Sequence, residues 1–243
     1  MNSFYIYSFL VFMFLSSRGI LAQKPEDFVN SGLEKVTNGQ YEKAIRDFNK
    51  ALKINPNFAD ALLNRGKTQL LLGEYNFAIS DFNKMLRINP NSSEVYNYRG
   101  EVKNIIGRYA EAIDDFNESL SINKKYATAY YNRGFSYKEI GKYKKALSDL
   151  NTAISINKSM PEAYFERGNV YSELGKYPEA IRDFDKSIGI TNNSSKVYVA
   201  RAIAKIKVGE KEASCADFTR AMDLGDKNAP TLFLLHCQQR SSE

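Results

Sequence analysis

The side chains that most readily do chemistry are scarce in this chain. His236 is the single histidine, and it stands beside Cys237; the other cysteine is Cys215. A thiol and an imidazole can form a nucleophile–base pair, but adjacent residues on a helix point about 100° apart, so His236 and Cys237 read as structural. The sequence has no Walker A loop, no GxGxxG, no HExxH and no CxxC. Phosphate cradling, dinucleotide binding, zinc-dependent hydrolysis and dithiol redox chemistry therefore have no anchor. Acidic residues follow helix faces and form no isolated acid–base pair. No catalytic residue, metal or cofactor is expected, and the chain does not read as an enzyme.

Two other residue series recur with a fixed spacing. Arg65, Arg99, Arg133, Arg167 and Arg201 are each 34 residues apart, and so are Asp47, Asp81, Asp115, Asp149, Asp183 and Asp217. Arginine and aspartate in matched series can form a ladder of ion pairs, within a module or from one module to the next. The first arrangement leaves Asp47 without an arginine; the second leaves Asp217 without one. In either case the expected role is to set the register of stacking, not to bind a ligand.

The elements that carry these residues are six copies of one block: 25–58, 59–92, 93–126, 127–160, 161–194 and 195–228. Each reads as helix, turn, helix, and the first two close on Asn55-Pro56 and Asn89-Pro90. Position 15 is glycine in all six, from Gly39 to Gly209, where a first helix would stop. Position 8 is Gly32, Gly66, Gly100, Gly134 and Gly168, then Ala202. A mid-helix glycine costs about 1 kcal/mol against alanine, so a close helix–helix approach is expected there. Small residues at position 20, such as Ala44 and Ala146, support it. Apolar positions 21, 24 and 28 give the second helix one buried stripe.

This pattern resembles the tetratricopeptide repeat family over residues 25–228. The resemblance implies an all-α solenoid of helix pairs wound into a right-handed superhelix with a concave groove, and a protein or peptide partner. The chain departs from the family at position 4, which is tyrosine, phenylalanine or leucine and never tryptophan, and at position 7, which is arginine in five modules. Some members of the family clamp a peptide carboxylate with lysine at position 5. Here position 5 is Val29, Leu63, Asn97, Tyr131, Phe165 and Val199, so that role is not expected.

The first helix of each module should line the groove. In modules three to five this places Asn97, Tyr98, Tyr131, Asn132, Phe135, Phe165 and Asn169 at the candidate binding surface. Aromatic rings supply anchors, and asparagine can hold an extended peptide backbone. The bland alternative is that position 5 is aromatic for packing alone.

The two ends differ from the array. Residues 1–22 combine an apolar run from Phe4 to Leu15 with Ala22, and resemble a cleaved secretory signal; the run is too short for a spanning helix, and an uncleaved anchor is the rival reading. Export would place the protein in the periplasm or outside the cell. At the other end, Asn228 and Pro230 suit a helix start, and residues 229–240 are expected to form a short solvating cap. The closing pattern from Ala213 to Cys237 resembles that of exported bacterial members of the family, of a Bacteroidetes-like type. Cys215 and Cys237 could form a disulfide in an oxidising compartment, or remain two buried apolar thiols.

The formal charge is +6, with 34 Lys+Arg against 28 Asp+Glu, and no Lys/Arg-rich run occurs. No nucleic-acid partner is expected from so dispersed an excess. The expected function is a non-catalytic exported scaffold or adaptor. The alternatives are a self-associating spacer in the cell envelope, or an accessory subunit of an envelope enzyme or secretion complex.

Overall fold

The computed structural model describes residues 24–237. The signal-like segment, and residues 238–240 of the expected cap, lie outside the described residues. Within them the chain is all-helical, with thirteen helices and no strand, arranged in two compact units that meet in sequence at Ile88 and Asn89.

The first unit holds α1 (Pro25–Thr37), α2 (Tyr41–Ile54), α3 (Ala59–Leu71) and α4 (Tyr75–Ile88). The second holds α5 (Ser93–Ile105), α6 (Tyr109–Ile122), α7 (Ala127–Glu139), α8 (Tyr143–Ile156), α9 (Pro161–Glu173), α10 (Tyr177–Ile190), α11 (Ser195–Lys207), α12 (Lys211–Asp223) and α13 (Ala229–Cys237). Each of the six helix pairs turns at a glycine in the left-handed region, with φ between 68° at Gly39 and 85° at Gly209. After the second helices of modules one to four, an asparagine side chain caps the bend. Asn55, Asn89, Asn123 and Asn157 each accept from the amide two residues on, and the last two do so without a following proline.

Core formation is shared between neighbours. Ala44, Phe48 and Ala51 of module one bury with Ala61 of module two. Ala146, Leu150, Ala153 and Ile154 of module four bury with Ala163 and Val170 of module five. A module cannot close its apolar face alone, as expected of a repeat array.

The mid-helix glycines accept the ring at position 24. A Cβ on Gly32 would run into the Phe48 ring, one on Gly100 would lie 2.7 Å from Phe116, and one on Gly168 2.6 Å from Phe184. At Gly134, where the partner is Leu150, the approach relaxes to 3.0 Å. Burying a phenylalanine side chain contributes about 1.5–3 kcal/mol, which offsets the glycine's cost.

The arginine–aspartate ladder lies within modules. Arg65 and Asp81, Arg133 and Asp149, Arg167 and Asp183, and Arg201 and Asp217 form two-point pairs at 2.6–2.9 Å. Arg99 pairs with Asp115 at 2.5–3.2 Å. Several arginines also reach back one module. Arg65 donates to Asn49, Arg133 to Asn117 at 2.7 Å and Arg167 to Asn151 at 2.6 Å, while Arg201 meets Asp185 at 2.6 Å. One guanidinium thus fixes both the helix pair and its stacking on the pair before it. Tyrosines three residues upstream add a second hold: Arg99, Arg133, Arg167 and Arg201 stand 5.4–5.5 Å from the rings of Tyr96, Tyr130, Tyr164 and Tyr198. Asp47, which has Ser31 at the arginine position, instead accepts from Ser31 at 2.8 Å, from Lys50 at 2.9 Å and from Lys35. Burial would raise the Asp47 carboxyl, but these donors outweigh it and hold the group at about 2.

The C-terminal cap differs from expectation in two ways. Asp226, not Asn228, supplies the oxygen at the start of α13, accepting from the amides of Asn228 and Ala229 at 2.9 and 3.0 Å. A carboxylate further upstream satisfies two free amides at once. The helix is also less solvating than expected, since Leu234 and Leu235 are more than half exposed. A disulfide joins Cys215 of α12 to Cys237 of α13, with the Cα atoms 5.8 Å apart. His236 stacks on Phe218, ring centroids 6.2 Å apart.

Candidate functional site

The candidate surface belongs to the second unit, on the first helices of modules three to five: α5, α7 and α9. Helical period puts positions 5, 6, 9 and 12 on neighbouring parts of one face. The structure divides the proposed residues into two groups.

Asn97 and Asn132 are withdrawn from the surface. Asn97 is 1% exposed and Asn132 9%. The Asn132 amide donates to Asn97 Oδ1 at 3.1 Å. Asn104 donates to the Asn132 carbonyl at 3.2 Å, and Ser136 donates to Asn104 Oδ1 at 2.7 Å. These groups form a polar seam that sets α7 against α5. The expectation that Asn97 and Asn132 hold a peptide backbone is therefore corrected: a buried amide must find its partner inside the protein, and these two find each other.

Tyr98, Tyr131, Phe135, Phe165 and Asn169 remain half-buried. The rings pack within their own module or on the one before while keeping part of their area open. Phe135 meets Tyr109 edge-on, centroids 6.4 Å apart, and Phe165 meets Phe184 at 5.9 Å. Tyr131 lies against the core of module four.

Charged groups lie among these rings. Lys138 donates to Glu166 at 2.7 Å and meets Glu139 at 2.9 Å, with its ammonium 4.6 Å from the centre of the Phe135 ring. Asn169 donates to Glu166 at 3.3 Å. Burial alone would lower the Lys138 ammonium, yet Glu166 and Glu139 hold it above the ordinary lysine range. Burial pushes the Tyr131 hydroxyl well above the ordinary tyrosine value, and the carboxylates of Glu166, Glu162 and Glu101 add to it. Tyr126 is pushed up to about 12 by burial, then by Tyr98, Glu94 and Glu101. Burial also raises the Glu101 carboxyl. Beside this face a cleft of about 360 Å³ is lined by Lys138, Glu139, Tyr143, Asn169, Ser172 and Glu173.

The arrangement is suited to binding. It offers ring faces, an amide and a set of carboxylates. Among the described residues, no group of three or more histidine, cysteine or acidic side chains stands where it could hold a metal ion, and no helix is long and apolar enough to cross a membrane. The involvement of Glu101, Glu162 and Glu166 was signalled in the sequence only by their positions on the groove face. Glu166 hides behind Lys138 and is 8% exposed.

Comparison with known proteins places the same modules in context. A family model described as TPR repeat matches residues 32–73, 104–141 and 136–175, and one described as tetratricopeptide repeat matches residues 59–92 and 161–190. Among solved structures, MamA is 33% identical, with 68% of this chain and 96% of that chain covered and a TM-score of 0.61. A tetratricopeptide repeat protein from Parabacteroides merdae is 25% identical, covering 91% and 88% of the two chains with a TM-score of 0.71. PilW, described as a type IV pilus biogenesis factor, shares the fold at 20% identity, with 86% and 97% covered and a TM-score of 0.78. No curated protein sequence matches the chain.

Proposed function

Since the chain belongs to the tetratricopeptide repeat family, we propose that it is a non-catalytic scaffold that holds a protein or peptide partner against the first helices of modules three to five. Repeats of this family serve protein interaction. The observation that carries the choice of face is the aromatic strip of Tyr98, Tyr131, Phe135 and Phe165, which keeps open ring area although the core behind it is closed by Phe116, Leu150 and Phe184. Aromatic anchors of this kind supply most of the binding energy in protein interfaces.

The test is crosslinked capture with wild type and a Tyr131→Ala, Phe135→Ala, Phe165→Ala variant, once circular dichroism shows the variant folded. A partner captured by wild type and lost by the variant is the expected result. Equal capture moves the site to the outer faces or the ends.

Export belongs to the same reading and is supported by the composition of residues 1–22. The natural protein should begin at Gln23 and be recovered from the periplasm or the medium. A chain that still begins at Met1 in the cytosol contradicts export.

One observation favours a second reading, self-association through the C-terminal end. Leu234 and Leu235 are 53% and 58% exposed on α13. Sedimentation of wild type beside a Leu234→Ser, Leu235→Ser variant separates the two. A salt-insensitive dimer lost in the variant favours the spacer role, and a monomer in both removes it.

A further inference from the structure

The sign of the groove opposes that of the chain. The whole sequence carries +6, yet the groove-facing positions of α5, α7 and α9 bear Glu101, Glu139, Glu162, Glu166 and Glu173 beside the single cation Lys138. Lys138 bonds to Glu166 and Glu139, and Glu139 and Glu173 line the cleft with it. After burial, the carboxylates of Glu166, Glu162 and Glu101 raise the Tyr131 hydroxyl further.

Lys138 shows how a cation sits on this face. Its ammonium lies over the Phe135 ring and bonds to the Glu166 carboxylate. Ring face and carboxylate together suit a lysine or arginine head group, since the ring's quadrupole and the full negative charge act in the same sense. Glu101 lies at a groove-facing position of α5. Its carboxylate is half-buried, and no described side chain forms a hydrogen bond or ion pair with it. Tyr98 stands one helical turn before it, and the Glu101 charge adds to the rise of the Tyr126 and Tyr131 hydroxyls that burial begins. The buried aspartates of the ladder, and Glu166, all have cations from the chain itself. A half-desolvated carboxylate without a cation carries a standing cost that a partner's cation relieves.

We propose that the groove of modules three to five takes an extended, positively charged segment of a partner protein, with one lysine or arginine side chain seated on the Glu101 carboxylate. This rests on the groove reading above and adds the partner's chemistry to it. Charge complementarity selects the segment and speeds its encounter, while the aromatic strip supplies area.

Fluorescence anisotropy of three labelled twelve-residue peptides tests the proposal on the full chain. One alternates arginine, glycine and leucine; the second has glutamate for each arginine, and the third glutamine. The arginine peptide should bind at least about tenfold more tightly than the other two, and increasingly so at low salt. Glu101→Gln should weaken it about tenfold, and the exposed Glu162→Gln only about twofold. The proposal is overturned if the glutamate peptide binds as well as the arginine peptide, if Glu101→Gln leaves binding unchanged, or if the arginine peptide does not bind. The Tyr131→Ala, Phe135→Ala, Phe165→Ala variant separates this failure from that of the groove reading. If charge proves irrelevant but the aromatic variant loses a captured partner, the groove stands and its charge preference falls. If that variant keeps all binding, both fall. The chain's own C-terminal segment or a second copy as occupant would appear as protection of the groove without added peptide, and would also overturn the proposal.

Discussion

Two polar systems run along the second unit, and they differ in how they use repetition. On the ladder, the same arginine meets the same aspartate 16 residues on, module after module, with a tyrosine face beneath. On the groove, equivalent positions carry Asn97, Tyr131, Phe165 and Val199. A contact that recurs in every module serves what every module needs, which is stacking. A surface that changes from module to module serves something the array does not need in order to stand.

This contrast can be broken first at the ladder. Asp149→Ala leaves the Arg133 guanidinium largely buried without its carboxylate, and should cost about 3–5 kcal/mol. Thermal unfolding should show a fall of roughly 10 °C, and an unchanged midpoint would remove the ladder as a structural element.

Removing the disulfide comes next. It closes a 22-residue separation, so Cys215→Ser should cost about 3 kcal/mol in the chain-entropy account. The loss should be confined to α12 and α13, read as faster amide exchange there and not in α5.

The glycine contacts give a graded test. Gly168→Ala drives a Cβ into Phe184 at 2.6 Å, whereas Gly134→Ala meets Leu150 at 3.0 Å. The first should cost about 1–3 kcal/mol and the second less, or nothing, because the helix gains about 1 kcal/mol from alanine. Equal thermal shifts would mean that the ring does not set the glycine's role.

Asp47 offers a pH test. Its folded value of about 2 lies below the ordinary carboxylate value of 3.8. The unfolded chain therefore binds this proton first as pH falls, and the stabilisation is complete above about 4 and lost as pH falls through about 2. Asp47→Asn should flatten that part of the acid unfolding curve.

The smallest effect falls on the groove. Glu101→Gln removes a charge that burial disfavours and that no cation among the described residues pairs with. Thermal stability should stay unchanged or rise slightly. A loss as large as that of Asp149→Ala would make Glu101 another ladder residue.

The same contrast explains what the sequence disclosed. Six aligned copies act as an internal comparison, so the turn glycines and the arginine–aspartate series stood out, and the helix pairs with them. The matching aspartate sets could not reveal whether the pairs form within or between modules, because both spacings repeat equally. The aspartate in α2 was the exception: Ser31 stands where the other modules have arginine, and Lys35 and Lys50 supply the cations instead. Asn97 and Asn132 were misplaced because their bond occurs once, between side chains 35 residues apart. Helical period assigned them to the groove face, and only lateral packing of α5 against α7 shows that this part of the face is interior. Asp226 was passed over because Asn228 sits nearer the helix start, while the carboxylate reaches both amides from further back.

The most direct measurement is site-specific photocrosslinking in the source cells, with the probe at Tyr131 in one strain and at Glu118, exposed on α6, in another. The account predicts a defined protein adduct from position 131, competed by the arginine peptide, and none from position 118. Adducts from position 118 alone, or equal adducts from both, would contradict it.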